Sequence, residues 1–194
     1  MALTNVEMAS KALVLIGAAA IDTFDGTSTE QVVAKSTYET VVEAALTRTR
    51  WRFASGQQTL SRLVAAPTAR WDAAYQIPTS PALLVLHGVI VQDKTIEFDI
   101  YEDKIYCNAA ETEVVSADYT YRVGEEYWPP YFVSALMHDL ASIFAGSIAQ
   151  KGDLAEYYGE RSEVYYKRAQ NLESQQRTTK RVNTRKNLVN SRFS

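Results

Sequence analysis

Side chains for redox and acid–base chemistry are scarce in this sequence. Cys107 is the only cysteine among 194 residues, which excludes an internal disulfide and suits a reducing compartment. Of the two histidines, His138 is followed directly by Asp139. Adjacent side chains on a helix point about 100° apart, so Asp139 cannot orient the imidazole of His138 as the acid of a catalytic triad does. We therefore predict that His87 and His138 are packed or interfacial and that Cys107 is a buried structural thiol.

Motifs for metals, nucleotides and membranes are missing as well. The sequence has no second cysteine, no HExxH, no calcium-type acidic loop, and neither GxxxxGK[ST] nor GxGxxG. It therefore predicts no metal, no cofactor and no catalytic residue. The apolar run 12–20 is interrupted by Gly17, is too short for a bilayer and follows no basic region, so we expect neither a signal peptide nor a membrane anchor.

Acidic residues are absent from the end of the chain. Of 20 basic and 23 acidic residues, six basic and no acidic ones lie in 174–194. The preceding 173 residues hold 14 basic against 23 acidic ones, a net charge of −9, so we predict an acidic body with a basic arm, 177–194. The arm carries these charged and apolar side chains: Arg177, Lys180, Arg181, Arg185, Lys186, Leu188, Arg192 and Phe193.

The hydrophobic pattern predicts an α+β chain that is mainly helical. Capping-box patterns at Thr4 and Ser28 and the proline pair at Pro129 mark helix starts, and alternation within 55–125 predicts a β-rich insertion. We expect 1–176 to be one domain, a helical-bundle body with a small inserted antiparallel sheet, followed by an extended tail. The helices are predicted at about 3–17, 28–50, 130–150 and 153–176.

The last two predicted helices have features of packing and assembly. Small residues line one side of helix 130–150, which predicts a central helix that its neighbours approach closely. Helix 153–176 carries tyrosines that point in more directions than one core face needs, and tyrosine is enriched at interfaces. The predicted subunit interface consists of Tyr157, Tyr158, Tyr165, Tyr166 and His138.

A series of short motifs runs in a recognisable order through residues 8–150. They are Ala12-Leu13-x-x-Ile16-Gly17, Ile21-Asp22-Thr23-Phe24, Leu46, Trp51-Arg52-Phe53-Ala54, Leu60, Trp71, Ala74-Tyr75, Ile77-Pro78, Pro130-x-Phe132-x-x-Ala135-Leu136 and Leu140-Ala141. In this order the chain resembles the head-to-tail adaptor (connector) proteins of tailed bacteriophages, of the tail tubular protein A type. It departs from them at Thr79-Ser80, where relatives usually carry an acidic residue and an arginine.

The resemblance implies a structural virion protein that is not an enzyme. It implies a dodecameric ring between the portal protein and the tail nozzle, or stopper, around a channel that double-stranded DNA passes without sequence-specific contact. The C-terminal arm would dock on the portal, no membrane would be involved, and the protein would be made in the host cytoplasm and reside in the phage neck or tail. We assign Trp51 and Phe53 to the core or to the join of helix and sheet. The core and signature residues of the resemblance are Trp51, Phe53, Trp71, Tyr75 and Pro78.

Two other functions remain open from the sequence. A DNA-binding module would use the basic arm and would bind free duplex with a steep dependence on salt. A small hydrolase would use paired carboxylates such as Glu125 with Glu126 or Glu111 with Glu113.

Overall fold

The computed structural model describes residues 3–65, 67 and 70–176, so the predicted arm lies outside the described residues. The four helices of that part of the chain are α1 (Asn5–Leu15), α2 (Thr29–Thr47), α3 (Pro130–Ser147) and α4 (Gly152–Gln175). Seven strands lie between α2 and α3: β1 (Ser55–Thr59), β2 (Ala73–Gln76), β3 (Leu83–Val91), β4 (Lys94–Ile96), β5 (Phe98–Tyr101), β6 (Lys104–Cys107) and β7 (Val115–Tyr121).

All four predicted helices are present, and each ends within three residues of its predicted bound. Both capping boxes are confirmed. The Thr4 hydroxyl accepts the Glu7 N–H at 3.2 Å and the Glu7 carboxylate accepts the Thr4 N–H at 2.9 Å, while Ser28 and Gln31 form the same pair. Since these bonds satisfy donors that a helix leaves unpaired, they fix the start of α1 and of α2.

The helices pack around α3, which contacts α1, α2 and α4. Ala135 and Ala145 on α3 are fully buried, and the Ser142 hydroxyl donates to the Ala155 carbonyl of α4 at 2.8 Å. The small side chains therefore do bring neighbouring backbone close, which confirms the central position predicted for this helix. One face of α2 is also buried: Ala34, Tyr38, Val41, Val42 and Ala45.

The strands form two antiparallel sheets, ordered β1-β7-β3-β4 and β2-β6-β5. A hairpin at Glu102-Asp103 joins β5 to β6, with Ile100 opposite Ile105. Residues 95–101 alternate between polar and apolar as one strand would, but the strand breaks at Glu97, so β4 belongs to the first sheet and β5 to the second. Beyond β1 the chain also reaches the second sheet, where the Leu63 N–H donates to the Ala74 carbonyl at 2.8 Å. The chain therefore connects the two sheets at two places, between β4 and β5 and beyond β1.

The prediction of a mainly helical chain with a helical-bundle body is wrong. The described residues form an α+β fold in which two antiparallel sheets accompany the four helices. The sheets have a core of their own, separate from the helical core, and Tyr121 packs against both. Because this second core buries its own side chains, the strands are a packing unit and not a small insertion. Its buried members are Leu60, Ala73, Tyr75, Val89, Val91, Ile105, Cys107, Ala109, Val115, Ala117 and Tyr119.

Aromatic side chains fill the junction between helices and sheets. The Trp51 ring is fully buried, lies 5.4 Å from the Phe132 ring and 5.9 Å from the Phe53 ring between centroids, and its indole N–H donates to the Ala45 carbonyl at 2.9 Å. The Trp128 ring lies 5.3 Å from Phe132 on the other side. We call these four residues, Trp51, Phe53, Trp128 and Phe132, the junction cluster.

Replacing Trp51 with Ala should lower the free energy of unfolding by about 3–5 kcal/mol, because it leaves a cavity in the junction cluster. Urea denaturation followed by circular dichroism measures the change. Tyr127→Ala is the matched control, since this aromatic side chain is 68% exposed and its loss should change stability by less than about 0.5 kcal/mol. Equal stability of the two variants would contradict the role given to Trp51.

Candidate functional site

The C-terminal end of α4 is fixed to the junction by a buried carboxylate. Glu173 is 4% exposed; its carboxylate accepts the Arg52 N–H at 2.6 Å and the hydroxyl of Tyr131. The Arg52 guanidinium donates in turn to the Gln176 carbonyl. The last described residues are therefore held beside the junction cluster, and the predicted arm continues from this point.

Tyr131 is held as a hydrogen-bond donor in this arrangement. Burial raises the pKa of the Tyr131 phenol, and the hydrogen bond and charge of Glu173 raise this pKa further. The phenol therefore stays protonated at neutral pH and can donate to the carboxylate.

The four tyrosines predicted for the interface occupy different environments. Tyr166 is 1% exposed, and its hydroxyl donates to Asp139 at 3.0 Å; this burial inside the chain does not fit a place at a subunit interface. The Tyr158 hydroxyl donates to the Leu15 carbonyl at 2.6 Å, which ties α4 to α1. The half-buried Tyr165 stacks on His138, whereas Tyr157 is 47% exposed.

The two histidines differ from each other. His138 is half-buried, its Nδ1 lies 2.7 Å from the Ser134 carbonyl oxygen and its ring stacks 4.3 Å from that of Tyr165, so the prediction that it is packed is confirmed. His87 is exposed, so it is not packed in this chain, and its place at an interface stays a prediction. Its Nε2 lies 2.7 Å from the hydroxyl of the buried Thr120, and a β-bulge in β3 at this position breaks the pairing with β7.

Cys107 is buried, and the paired carboxylates take part in hydrogen bonds within the chain. Cys107 is fully buried as predicted, and burial raises the pKa of its thiol to about 11, so little thiolate forms at neutral pH. Glu125 accepts hydrogen bonds from the Tyr38 hydroxyl at 3.0 Å and from Arg122 at 2.6 Å. Glu113 accepts the Ala110 N–H at 2.8 Å. One member of each carboxylate pair is thus part of a bonding network that joins chain segments.

Three of the five predicted core and signature residues are buried. Trp71 and Tyr75 are 7% and 2% exposed, which together with the fully buried Trp51 confirms these three as core residues. Phe53 is half-buried and packs against the helical core. Pro78 is half-buried and lines a shallow cleft after β2.

An open groove of about 650 Å³ runs along α1. Its walls are mostly apolar, and Glu7, one of its few charged side chains, is used in the capping box. Within residues 3–65, 67 and 70–176, no three histidine, cysteine or acidic side chains converge as a metal site would require. None of the helices in that part of the chain is both long and apolar enough to span a bilayer. The groove is lined by Leu3, Thr4, Val6, Glu7, Ser10, Lys11, Val14, Ile21, Asp22 and Met137.

Sequence reasoning missed Glu173, which resembles any other surface glutamate when read alone. The sequence did contain a signal for its burial. Each of the residues Ser162, Tyr166, Ala169 and Glu173 is three or four positions from the next, and this helical spacing puts all four on the buried face of α4. The same spacing also identifies Tyr166 as an inward residue.

Replacing Glu173 with Ala should lower the free energy of unfolding by about 1–3 kcal/mol, because the Arg52 N–H and the Tyr131 hydroxyl lose their acceptor. Glu173→Gln keeps an acceptor and should cost less. The control is the exposed neighbour Ser174→Ala, with urea denaturation as the measurement. An alanine variant as stable as this control would show that the carboxylate does not hold the end of α4.

The protein should lose stability as pH rises above 10, because burial raises the pKa of Tyr38, Tyr131 and Tyr166. In the unfolded chain tyrosine ionises near pH 10. Above that pH the unfolded state therefore binds fewer protons than the folded one, and each such group lowers the free energy of unfolding by up to about 1.4 kcal/mol per pH unit.

In Tyr166→Phe this decline should be shallower, although stability at pH 7 falls by about 1 kcal/mol with the lost hydrogen bond to Asp139. Denaturation at a series of pH values measures both effects. Tyr157→Phe is the matched control, since it removes an exposed phenol. A Tyr166→Phe slope equal to that of the unaltered protein would contradict the assigned burial effect.

A scan against protein-family models finds no match to this chain, and a search of curated proteins finds no relative. The residues and contacts described above are therefore the basis on which a function can be proposed.

Proposed function

We propose that this protein is a head-to-tail adaptor of a tailed bacteriophage, a structural component whose copies form a ring between the portal and the next tail component. One observation carries the proposal. Residues that produce the resemblance but lie far apart in the sequence, Trp51, Phe53 and Phe132, pack together in the junction cluster. These separated motifs thus meet in one packed cluster of the structure, which supports the view that they form a single structural signature.

The second support comes from the start of the basic arm. The end of α4 is held at the junction by Glu173, so all arms of a ring begin at equivalent places. The 18 residues of 177–194 reach at most about 60 Å when extended, which is enough to reach a neighbouring ring. Because many arms act together, each needs only a modest affinity for the portal.

The charge of the body suits a passage for DNA. Residues 1–173 carry a net charge of −9, and like charges repel the phosphate backbone. A channel lined by such a body lets the duplex slide past without a strong hold, whereas a basic lining binds it.

A DNA-binding module is the second candidate, and the six basic and no acidic residues of 174–194 favour it. This candidate predicts tight binding of free duplex DNA that weakens steeply as salt rises. The adaptor predicts little such binding at physiological salt. Fluorescence anisotropy of a labelled duplex over a salt series distinguishes the two functions.

Mixing the full-length protein with the portal protein of the same phage should give a large symmetric complex in native mass measurement and electron cryomicroscopy. The adaptor proposal fails if only monomers are found while the portal ring is intact.

Deleting 177–194 should leave the melting temperature of the body unchanged and abolish portal docking, because Arg52, Tyr131 and Glu173 that fix α4 all remain. Co-sedimentation with portal rings measures docking. The control is a full-length variant in which the six basic residues of the arm are changed to Gln, so that the arm keeps its length and loses its charge. This variant should dock weakly if the charge of the arm provides the attraction to the portal. Undiminished docking by the truncated protein would refute the role of the arm.

A further inference from the structure

Helix α4 has three faces that lie roughly 120° apart at 3.6 residues per turn. One face is buried against the rest of the chain through Ser162, Tyr166, Ala169 and Glu173. The second, which we call the basic edge, consists of Tyr157, Arg161, Val164, Arg168 and Leu172. The third, which we call the acidic edge, consists of Glu156, Glu160 and Glu163.

The basic edge combines exposed apolar and cationic side chains. Tyr157, Val164 and Leu172 are 47%, 45% and 45% exposed, although apolar side chains of this size are mostly buried. Arg161 and Arg168 are exposed, and Arg161 lies 5.1 Å from the centre of the Tyr157 ring. Among the residues that the structure describes, neither arginine forms an ion pair with a carboxylate.

The acidic edge carries the complementary charge. Glu156 and Glu160 are exposed and have no ion-pair partner within the described part of the chain. Glu163 forms an ion pair at 2.6 Å with Arg48, the residue that follows α2. Lys167 lies one turn beyond Glu163 on the same side, so the negative charge is concentrated in the first half of α4, at the height of Arg161.

We infer that the basic edge of α4 in one copy packs against the acidic edge of α4 in the next copy. This inference rests on the proposed ring. In a ring whose axis is parallel to α4, identical residues lie at the same height, which places Arg161 of one copy beside Glu160 of its neighbour. Arg168 then lies beside Lys167, so the attraction between the edges comes from the first half of the helix. The outer ends of the basic edge, Tyr157 and Leu172, then lose their contact with water.

The charges of the two edges favour this contact over a two-fold dimer. Packing two basic edges on each other places arginines against arginines, which is unfavourable. A contact between unlike edges is head-to-tail and uses different surfaces of each copy, as a closed ring requires. Since the two edges point to different sides of α4, each copy can contact two neighbours at once.

Two variants with reversed charges test the pairing of the edges in the presence of portal protein. Arg161→Glu makes the first half of both edges acidic, and Glu156→Arg with Glu160→Arg makes the first half of both edges basic. Each alone should reduce the fraction of protein in rings at least about tenfold, because like charges then meet in the first half of every contact between copies. An equimolar mixture should restore rings, in which the two variants alternate.

Lys94→Glu is the control, since this exposed lysine lies on β4 away from α4, and it should form rings as the unaltered protein does. Circular dichroism checks the folding of every variant. If one variant does not fold, a single chain that carries all three reversals replaces the mixture and should form rings. Native mass measurement counts the copies of each variant in the ring.

The outcomes separate the two proposals. If the unaltered protein forms no ring with the portal, the adaptor function fails. If it forms rings and Arg161→Glu assembles equally well, the adaptor function stands and the pairing of the edges is overturned. The pairing is also overturned if reversal prevents rings and neither the mixture nor the variant with all three reversals restores them.

Discussion

Burial of the Trp51 indole against Phe132 is the contact on which the arrangement of the chain depends. The chain passes between helices and sheets twice, from α2 to β1 and from β7 to α3. Trp51 and Phe53 lie in the first passage and Trp128 in the second, and all three contact Phe132 or each other. Because both passages run through one cluster, the orientation of the sheets relative to the helices is set there.

Polar contacts reinforce the same region from two sides. Arg122, at the end of β7, pairs with Glu39 of α2 and with Glu125 at 2.6 Å each, and its guanidinium lies 5.4 Å from the centre of the Trp128 ring. Glu173 connects the end of α4 to Arg52 and Tyr131. Half-buried charges of this kind are costly unless paired, so they also specify one arrangement of the segments that meet here.

Local signals in the sequence predicted the helices well, and non-local pairing explains most of what was missed. The capping boxes at Thr4 and Ser28 involve residues three positions apart, so the sequence contains them completely. By contrast β1, with the sequence Ser-Gly-Gln-Gln-Thr, has no apolar alternation, and it is a strand because it pairs with β7 some sixty positions further along. The separate core of the sheets depends on such pairings, which is why the helical-bundle body was a wrong expectation.

Separate cores have a consequence for the cooperativity of unfolding. Regions that bury their own apolar surface and share few side chains can open as distinct cooperative units. Here Tyr121 packs on both cores and Leu84 of β3 packs on the helical one, while the ion pairs Arg50–Asp118 and Arg122–Glu39 add polar links between helices and sheets. We therefore expect the sheets to be able to open and lose their amide protection while α3 and α4 keep theirs, once these few links are broken.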